Sequence, residues 1–469
     1  MAVLPFEPDC PADIHVPLVI VGAGACGISA ALAAVDAGCE PLVVERDAVP
    51  RGNTFLSSGF IPAAGTRFQA TRGIGDSVAR MVADIQRKNE GQADPVIVRT
   101  LAENSAGTVE WLADRHGIPF DLVDDVRYPG HSVLRMHSTP RRTGEELIAC
   151  LHGAAEAAGV DVVTSARVCD LQADSGRRIR GVRIARPDGV RETIACDALM
   201  LACNGYGANT ELVARYLTGM ETAVYFGHEG NQGDALLWSE SLGASLRDLG
   251  AFQGHGSLAW PHRILISWAL MMEGGIQVNR DGRRFSNENG GYSEQARKVL
   301  AQPGGTVWNV YDARIHDFAM SGFEDYRRAD QAGALKSAPS AGTLAAVLDL
   351  PAAELEETLR ETAALAAAGA VDRFGRSFDP DSALKPPFYA VRVTGAVFHT
   401  QGGAEIDTSG RVLGSDRRPF PNLLAGGGAA RGISGSGDSG YLSGNGLLSA
   451  MVMGALAGRR AAALMRERY

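Results

Sequence analysis

Residues 18–21, Leu-Val-Ile-Val, form a short unbroken apolar run with β-branched side chains, the pattern of a strand buried on both faces. Glycines at 22, 24 and 27 follow at once, and an alanine-rich stretch of helical character follows them. After Gly38 the run Leu42-Val-Val-Glu45 reads as a second strand. Residues 51–64 carry Gly, Ser, Asn and Thr without a helical period and read as a long ordered loop, the kind of segment that holds something. Residues 70–116 read as helices, and another helix runs from about 141 to 158, stopped by Gly159. Residues 160–163 and 166–168 are strand-like, and residues 179–185 and 191–195 alternate as a hairpin around Pro187-Asp-Gly189. Residues 198–202 are a further buried strand, ending in Asn204-Gly-Tyr-Gly207 and a helix.

From about residue 248 to 394 the pattern changes, and we expect an inserted second domain there, with 1–247 and 395–469 forming the first. Residues 272–285 read as a hairpin closed by Asp281-Gly282. Helices are expected near 294–300, 343–348 and 352–368, the last alanine-rich and suited to a surface. The chain then returns to a strand running into glycines, Asn422-Leu-Leu-Ala-Gly-Gly-Gly428, and a closing helix over roughly 444–465. The class is α/β.

The order strand, Gly22-Ala23-Gly24-Ala25-Cys26-Gly27, helix is the one that a dinucleotide-binding turn needs. The first glycine permits the turn, the second lets the backbone approach a diphosphate, and the third lets helix and strand pack closely. The helix then aims its unpaired N–H groups at the phosphates. Glu45 ends the second strand about 20 residues on, where a carboxylate takes the hydroxyls of an adenosine ribose. The second Gly-x-Gly-x-x-Gly, at 435–440, has no apolar strand running into it and is not read as a nucleotide site.

Composition narrows the partners. Apolar content of 45% and a net charge of −9 suit a globular protein without a nucleic-acid partner. No apolar run reaches the roughly 18 residues of a membrane span, and no signal peptide is expected. The seven cysteines (10, 26, 39, 150, 169, 196 and 203) lack CxxC spacing. Zinc, haem attachment and a dithiol centre are therefore unsupported, and reduced thiols in a cytoplasmic protein are expected.

Taken together the motifs resemble one flavoprotein family, that of fumarate reductases, succinate dehydrogenase flavoprotein subunits and 3-ketosteroid dehydrogenases. They are Gly22-x-Gly-x-x-Gly27 with Glu45, Gly52-Asn-Thr…Ser57-Ser-Gly59, Asn204-Gly-Tyr-Gly-Ala-Asn209 and Gly230-Asn-Gln-Gly-Asp234. Val278-Asn-Arg-Asp-Gly-Arg-Arg-Phe-Ser-Asn-Glu288, His399-Thr-Gln-Gly-Gly403, Leu424-Ala-Gly-Gly-Gly428 and Ser443-Gly-Asn-Gly446 complete the set, which spans nearly the whole chain. The resemblance implies a Rossmann-like FAD-binding domain built from both chain ends, with an inserted α+β capping domain. It also implies hydride transfer at flavin N5, to or from a carbon–carbon bond beside an electron-withdrawing group.

It implies cofactor contacts as well. The 22–27 loop is expected on the diphosphate, with Glu45 and Arg46 at the ribose and Val168 lending backbone to the adenine. Asn53, Thr54, Ser57, Ser58 and Gly59 are expected against diphosphate and isoalloxazine; Ala202, Asn204, Gly205, Asp234, Gly427 and Gly428 join the cofactor set. Asn445, Gly446, Leu447 and Leu448, at a helix start, are expected at the flavin pyrimidine ring, where N–H groups stabilise negative charge. Covalent members carry a histidine where Asn53 and Thr54 stand here, so non-covalent FAD is expected.

The chain departs from fumarate reductases at two arginines. Tyr292 stands where that resemblance places the proton-donating arginine, and Tyr441 where it places the one that clamps substrate carboxylate. The pattern Gly440-Tyr441-Leu-Ser443-Gly resembles instead the ketosteroid dehydrogenases, which desaturate beside a ketone. Tyr292 and Tyr441 are expected as the base and the ketone-binding group, in unassigned order, supported by Ser443. A tyrosine base requires a pKa brought down from about 10, which a helix start and a hydroxyl donor favour. His255, in Gln253-Gly-His-Gly-Ser257, and His399 keep family positions that hold substrate carboxylate, and a buried structural histidine is the alternative for each. Arg431 is read as a surface residue or as a cation for a carboxylate.

The expected reaction is FAD-dependent desaturation of a small cyclic ketone or keto acid, 4-oxocyclohexanecarboxylate-like or ketosteroid-like. Electrons pass to a diffusible acceptor, because ligands for haem or iron–sulfur clusters are lacking. The alternatives are an ene-reductase of an unsaturated acid or ketone and a flavin-binding protein without turnover.

Overall fold

A computed structural model describes residues 2–8 and 12–467; Cys10 lies outside them. The chain divides into two compact units. The first comprises Met1–Leu217, Gly227–Phe252 and His399–Tyr469; the second comprises Thr218–Phe226 and Gln253–Phe398.

The first unit is organised on a mixed sheet of nine strands among the described residues. Strand Ile14–Val21 lies between Pro41–Val44 and Arg191–Leu201, parallel to both, with Val19 opposite Leu42 on one side and Leu199 on the other. Asp161–Val163 extends the sheet beyond Pro41–Val44, and Pro419–Ala425 joins parallel to Arg191–Leu201. Both faces are covered, which is why these strands are continuously apolar. Leu18, Ile20, Val43, Met200 and Leu424 face a layer containing helices Ala25–Asp36, Gly144–Ala157 and Asn445–Arg466. Val19, Leu42, Val44, Leu199 and Leu423 face the other layer, with Val78–Lys88, Pro95–His116 and the strands around Val182.

Two sequence expectations are corrected here. Residues 191–195 and 198–202 are not separate: Arg191–Leu201 is one strand. Its first half pairs with Ile179–Ala185 and alternates in burial; its second half pairs on the same edge with Pro419–Ala425 and is buried throughout. The change of neighbour changes the apolar pattern without a break in the backbone. The segment expected as an aperiodic loop contains a short helix, Gly52–Leu56, only five residues long and so too brief to show a period.

The closing helix is Asn445–Arg466, and its 22 residues are long and apolar enough to cross a membrane, contrary to the expected absence of such a run. Its apolar side is used inside the unit. A Cβ on Gly454 would overlap the carbonyl of Cys26, and one on Gly458 would overlap that of Ala30. The first and last helices therefore meet backbone to backbone.

The second unit is built on a seven-stranded sheet with Phe388–Thr400 as its longest member, paired with Thr306–Asp312, Leu335–Ala338 and Val224–Tyr225. Helices Tyr292–Leu300, Ala313–Gly322, Glu324–Gln331, Ala341–Leu348 and Ala352–Ala367 cover it. The hairpin expected over 272–285 is half present. Ile276–Val278 is a strand and the Asn279–Gly282 turn closes, but the strand pairs with Thr306–Asp312 and the return segment leaves the sheet. It leaves because Arg284 is drawn into a buried ion cluster with Glu288 and Asp372. The helix expected at a surface is half buried: Leu355, Leu359 and Ala366 face inward, and Thr358 Oγ1 donates to Gly282 O at 2.8 Å.

Candidate active site

The glycine turn in the first unit is held by contacts that leave no room for side chains. Gly22 has φ +105°, and a Cβ there would lie 2.7 Å from Ala202 O; a Cβ on Gly27 would overlap Gly22 O. Ala23 N donates to Glu45 Oε2 at 2.9 Å, and His152 Nε2 donates to Ala23 O at 2.9 Å. With that carbonyl turned to His152, the trans peptide carries the Gly24 N–H on the opposite side. Ala25 N donates to Thr54 Oγ1 at 3.0 Å, so the Thr54 hydroxyl keeps its proton for another acceptor. Cys26 is buried, and burial pushes its thiol up to about 12, which keeps it protonated.

The other expected cofactor residues lie in the same unit. Asn53 Oδ1 accepts from His228 N and Asn231 Nδ2, while Ser57 Oγ donates to Thr54 O and receives Gly59 N. Ser58 is exposed, as is Arg46, whose Nη1 donates to Gly230 O at 2.9 Å. Ala202 N donates to Val21 O, and Val168 is buried in Arg167–Ala173 opposite Ile184. Asn204 holds φ +64° and its Oδ1 accepts from Gly205 N; a Cβ on Gly428 would overlap that same oxygen. Gly427 packs against Cys26. Asp234, first in its helix, is raised in pKa by burial, and its Oδ1 has no partner.

At the start of the closing helix Tyr441, His399 and Gly446 converge. The rings of Tyr441 and His399 meet edge to face with centroids 5.6 Å apart. A Cβ on Gly446 would lie 3.0 Å from His399 Nε2 and 3.7 Å from the Tyr441 hydroxyl, so only glycine admits this approach. The N–H groups of a helix's first turn have no intrahelical acceptor, and they begin here, at Asn445. Burial lowers His399 to about 4, so it is neutral near pH 7. Ser443 O accepts from His131 Nε2 at 2.9 Å. Leu447 is half-buried and Leu448 buried.

In the second unit Tyr292 is the first residue of its helix, at the positive end of the dipole. Its ring stacks on His255 at 5.2 Å, and Phe398 stacks on the same imidazole at 5.5 Å. Ser293 Oγ accepts from Gly254 N at 2.9 Å, tying the residue after Tyr292 to the one before His255. Burial lowers His255 to about 3. Just upstream of Tyr292, Glu288 receives Arg284 and Arg376. Burial alone would raise its carboxyl; the Arg284 hydrogen bond and the charges of both arginines outweigh it and hold the group below the usual range.

Arg431 is neither at the surface nor an unpaired cation. Its Nε meets Asp248 at 2.6 Å and its Nη1 meets Asp94 at 3.2 Å. His131, His152 and Gln401 were missed: the first two meet their partners, Ser443 and Ala23, across 312 and 129 positions, and Gln401 stands at the variable letter of its motif.

Comparison with known proteins places these features. Residues 18–447 match the family described as FAD binding domain. A probable fumarate reductase of Shewanella frigidimarina is 30% identical over 447 residues, covering 95% of this chain and 74% of the relative. A 4-oxocyclohexanecarboxylate 2-dehydrogenase of Sinomonas cyclohexanicum is 25% identical, covering 94% and 92%. The fold superposes on that of a Rhodococcus jostii 3-ketosteroid Δ4-(5α)-dehydrogenase with a TM-score of 0.80 at 23% identity, covering 98% and 99% of the two chains.

The residues present fit the flavin nucleotide. Asn445 is fully buried with neither Oδ1 nor Nδ2 partnered, and Ser449 Oγ, one turn on along the same face, also lacks a partner. Leaving a buried amide unpaired costs about 2 kcal/mol or more, and a pyrimidine-type edge carrying both donor and acceptors relieves it.

Proposed function

The chain belongs to the FAD binding domain family and is an FAD-dependent oxidoreductase acting on carbon–carbon bonds, and on that premise we propose that it desaturates a small cyclic ketone beside its carbonyl. One observation carries the reading. Each unit sets a neutral histidine against a tyrosine: His399 with Tyr441, and His255 with Tyr292. Neutral N–H and O–H donors suit a carbonyl oxygen that becomes an enolate, whereas a dicarboxylate calls for cations.

In this reading Tyr441, His399 Nε2 and the helix start at Gly446 hold the carbonyl oxygen and take up its developing charge. Tyr292, at the positive end of its own helix in the second unit, is suited to take up a proton. FAD, when bound, supplies the acceptor for the hydride that leaves the β-carbon. The Gly22–Gly27 turn with Glu45, Thr54 and Asn445 holds the cofactor, without a covalent link because Asn53 and Thr54 stand where a histidine would be needed. A diffusible acceptor completes the cycle. The thiols of Cys26, Cys39, Cys150, Cys169 and Cys203 are in keeping with a reducing, cytoplasmic compartment.

Anaerobic titration of the oxidised holoenzyme with cyclic ketones and keto acids tests this: one of them bleaches the flavin. A second reading, reduction of an unsaturated acid, is favoured by the 30% identity to a fumarate reductase. If no ketone bleaches the flavin and an enoate or enone reoxidises the reduced enzyme, that second reading replaces the first.

A further inference from the structure

A neutral imidazole presents one N–H and one lone pair, and the group facing one nitrogen decides what the other offers. At His255 the deciding group is backbone: Ser257 N donates to Nδ1 at 3.1 Å. At His399 it is a side chain. Gln401 Nε2 lies 2.7 Å from Nδ1, and Gln401 Oε1 is taken by Ser434 Oγ at 3.0 Å. The Gln401 backbone is pinned as well, its N donating to Ala251 O and its carbonyl accepting from Gly432 N, both at 2.8 Å. With its oxygen turned to Ser434, the amide faces His399 with its nitrogen. Thr400 O also approaches Nδ1, but at 3.4 Å; the amide at 2.7 Å is the shorter contact and decides, so Nδ1 accepts and the ring proton sits on Nε2, the nitrogen beside Gly446.

We propose that Gln401 is a positioning residue that fixes the His399 tautomer with its proton on Nε2, and thereby makes residue 401 a determinant of ketone over carboxylate substrates. The specificity half rests on the ketone reading above; the tautomer half does not. A carboxylate at 401 would reverse the arrangement. It would accept from Nδ1–H and hold the ring as an imidazolium, a cation that suits a carboxylate substrate and donates too strongly to release an enone oxygen.

The test is 15N NMR of histidine-labelled, FAD-loaded protein, with the His399 signals assigned by their loss in His399→Asn. The wild type is expected to show an unprotonated Nδ1 and a protonated Nε2. Gln401→Glu is expected to protonate Nδ1, and Gln401→Met, which removes the donor with little change in bulk, to give a mixture of tautomers; the His255 signals stay in place. The kcat/KM for a cyclic ketone is expected to fall on the order of 10- to 100-fold in Gln401→Glu. A wild-type proton on Nδ1, or His399 shifts that neither variant moves, overturns the tautomer assignment. A moved tautomer with unchanged ketone kcat/KM overturns the specificity role. Failure of the ketone reading shows itself elsewhere, as a flavin that no ketone bleaches, whatever the NMR reports.

Discussion

Each unit carries one tyrosine–histidine pair, and the two are built differently. In the second unit both Tyr292 and Phe398 stack on His255, with interplanar angles of 27° and 13°, and a backbone N–H faces its Nδ1. In the first, Tyr441 meets His399 edge-on at 78°, and a side-chain amide faces Nδ1. The difference separates what the fold dictates from what one residue dictates. The His255 tautomer is inherited from the path of a strand; that of His399 can be rewritten by a single codon. Both pairs stand near a buried ion cluster in their own unit. Arg135 with Asp76 and Asp84 anchors the loop bearing His131 and so the Ser443 carbonyl; Arg284 and Arg376 on Glu288 anchor the segment that leads into Tyr292.

The sharpest way to break the comparison is to remove the hydroxyls. Tyr292→Phe and Tyr441→Phe are each expected to lower kcat for desaturation by roughly 10²- to 10⁴-fold with flavin content unchanged. Equal activity in either variant, measured by stopped-flow flavin reduction, removes that tyrosine from the chemistry.

Next come the ion clusters. Glu288→Gln leaves two buried guanidiniums short of charge and is expected to cost about 3–5 kcal/mol in denaturant unfolding. Asp84→Asn removes one of two carboxylates on Arg135 and is expected to cost less, because Asp76 still pairs with it through Nε. Equal losses would show that the two clusters are not different in kind.

Acid separates the pairs from the rest of the protein more gently. His399 is lowered from 6.5 to about 4 by burial, and His255 to about 3. The unfolded chain binds protons below pH 6.5 that the folded chain refuses, so the stability tied to each ring is full above that pH. It drains as pH falls toward the folded value. By linkage His399 accounts for about 2 kcal/mol lost between neutrality and pH 5. A His399→Asn variant is expected to show a flatter Tm profile over that range; a profile parallel to wild type would contradict the burial-driven shift.

The smallest effect sharpens the contrast. Ser257→Ala removes the hydroxyl that accepts from Asn309 Nδ2 at 2.7 Å but leaves the backbone N–H on His255. The expected cost is about 1 kcal/mol, with the His255 15N shifts unmoved.

Much of this architecture was legible along the chain. The apolar run at 18–21, the three glycines and Glu45 were readable because strand, turn and helix are consecutive and each obeys a local rule. The helices at 292–300, 341–348 and 352–367 announced themselves by length and period. What escaped depends on distant neighbours. Nothing in residues 191–201 says that the strand changes partner midway, and nothing in 283–285 says that Arg284 will leave a hairpin for Glu288. His131 meets Ser443 across 312 positions, and His152 meets Ala23 across 129. Gln401 stood inside a motif as its variable letter, and only its two hydrogen bonds give it a task. Arg431 sat in a glycine-rich loop, and its pairing with Asp94 and Asp248 is equally long-range.

The seam where Gly454 and Gly458 lie against Cys26 and Ala30 bears on how the protein is made. The helix that opens beneath the nucleotide turn finds its packing partner 428 positions further along the chain, from Cys26 to Gly454. A chain synthesised no further than Asn445 therefore presents the glycine turn without its brace, and tight capture of the flavin nucleotide waits until Asn445–Arg466 has folded back onto Ala25–Asp36.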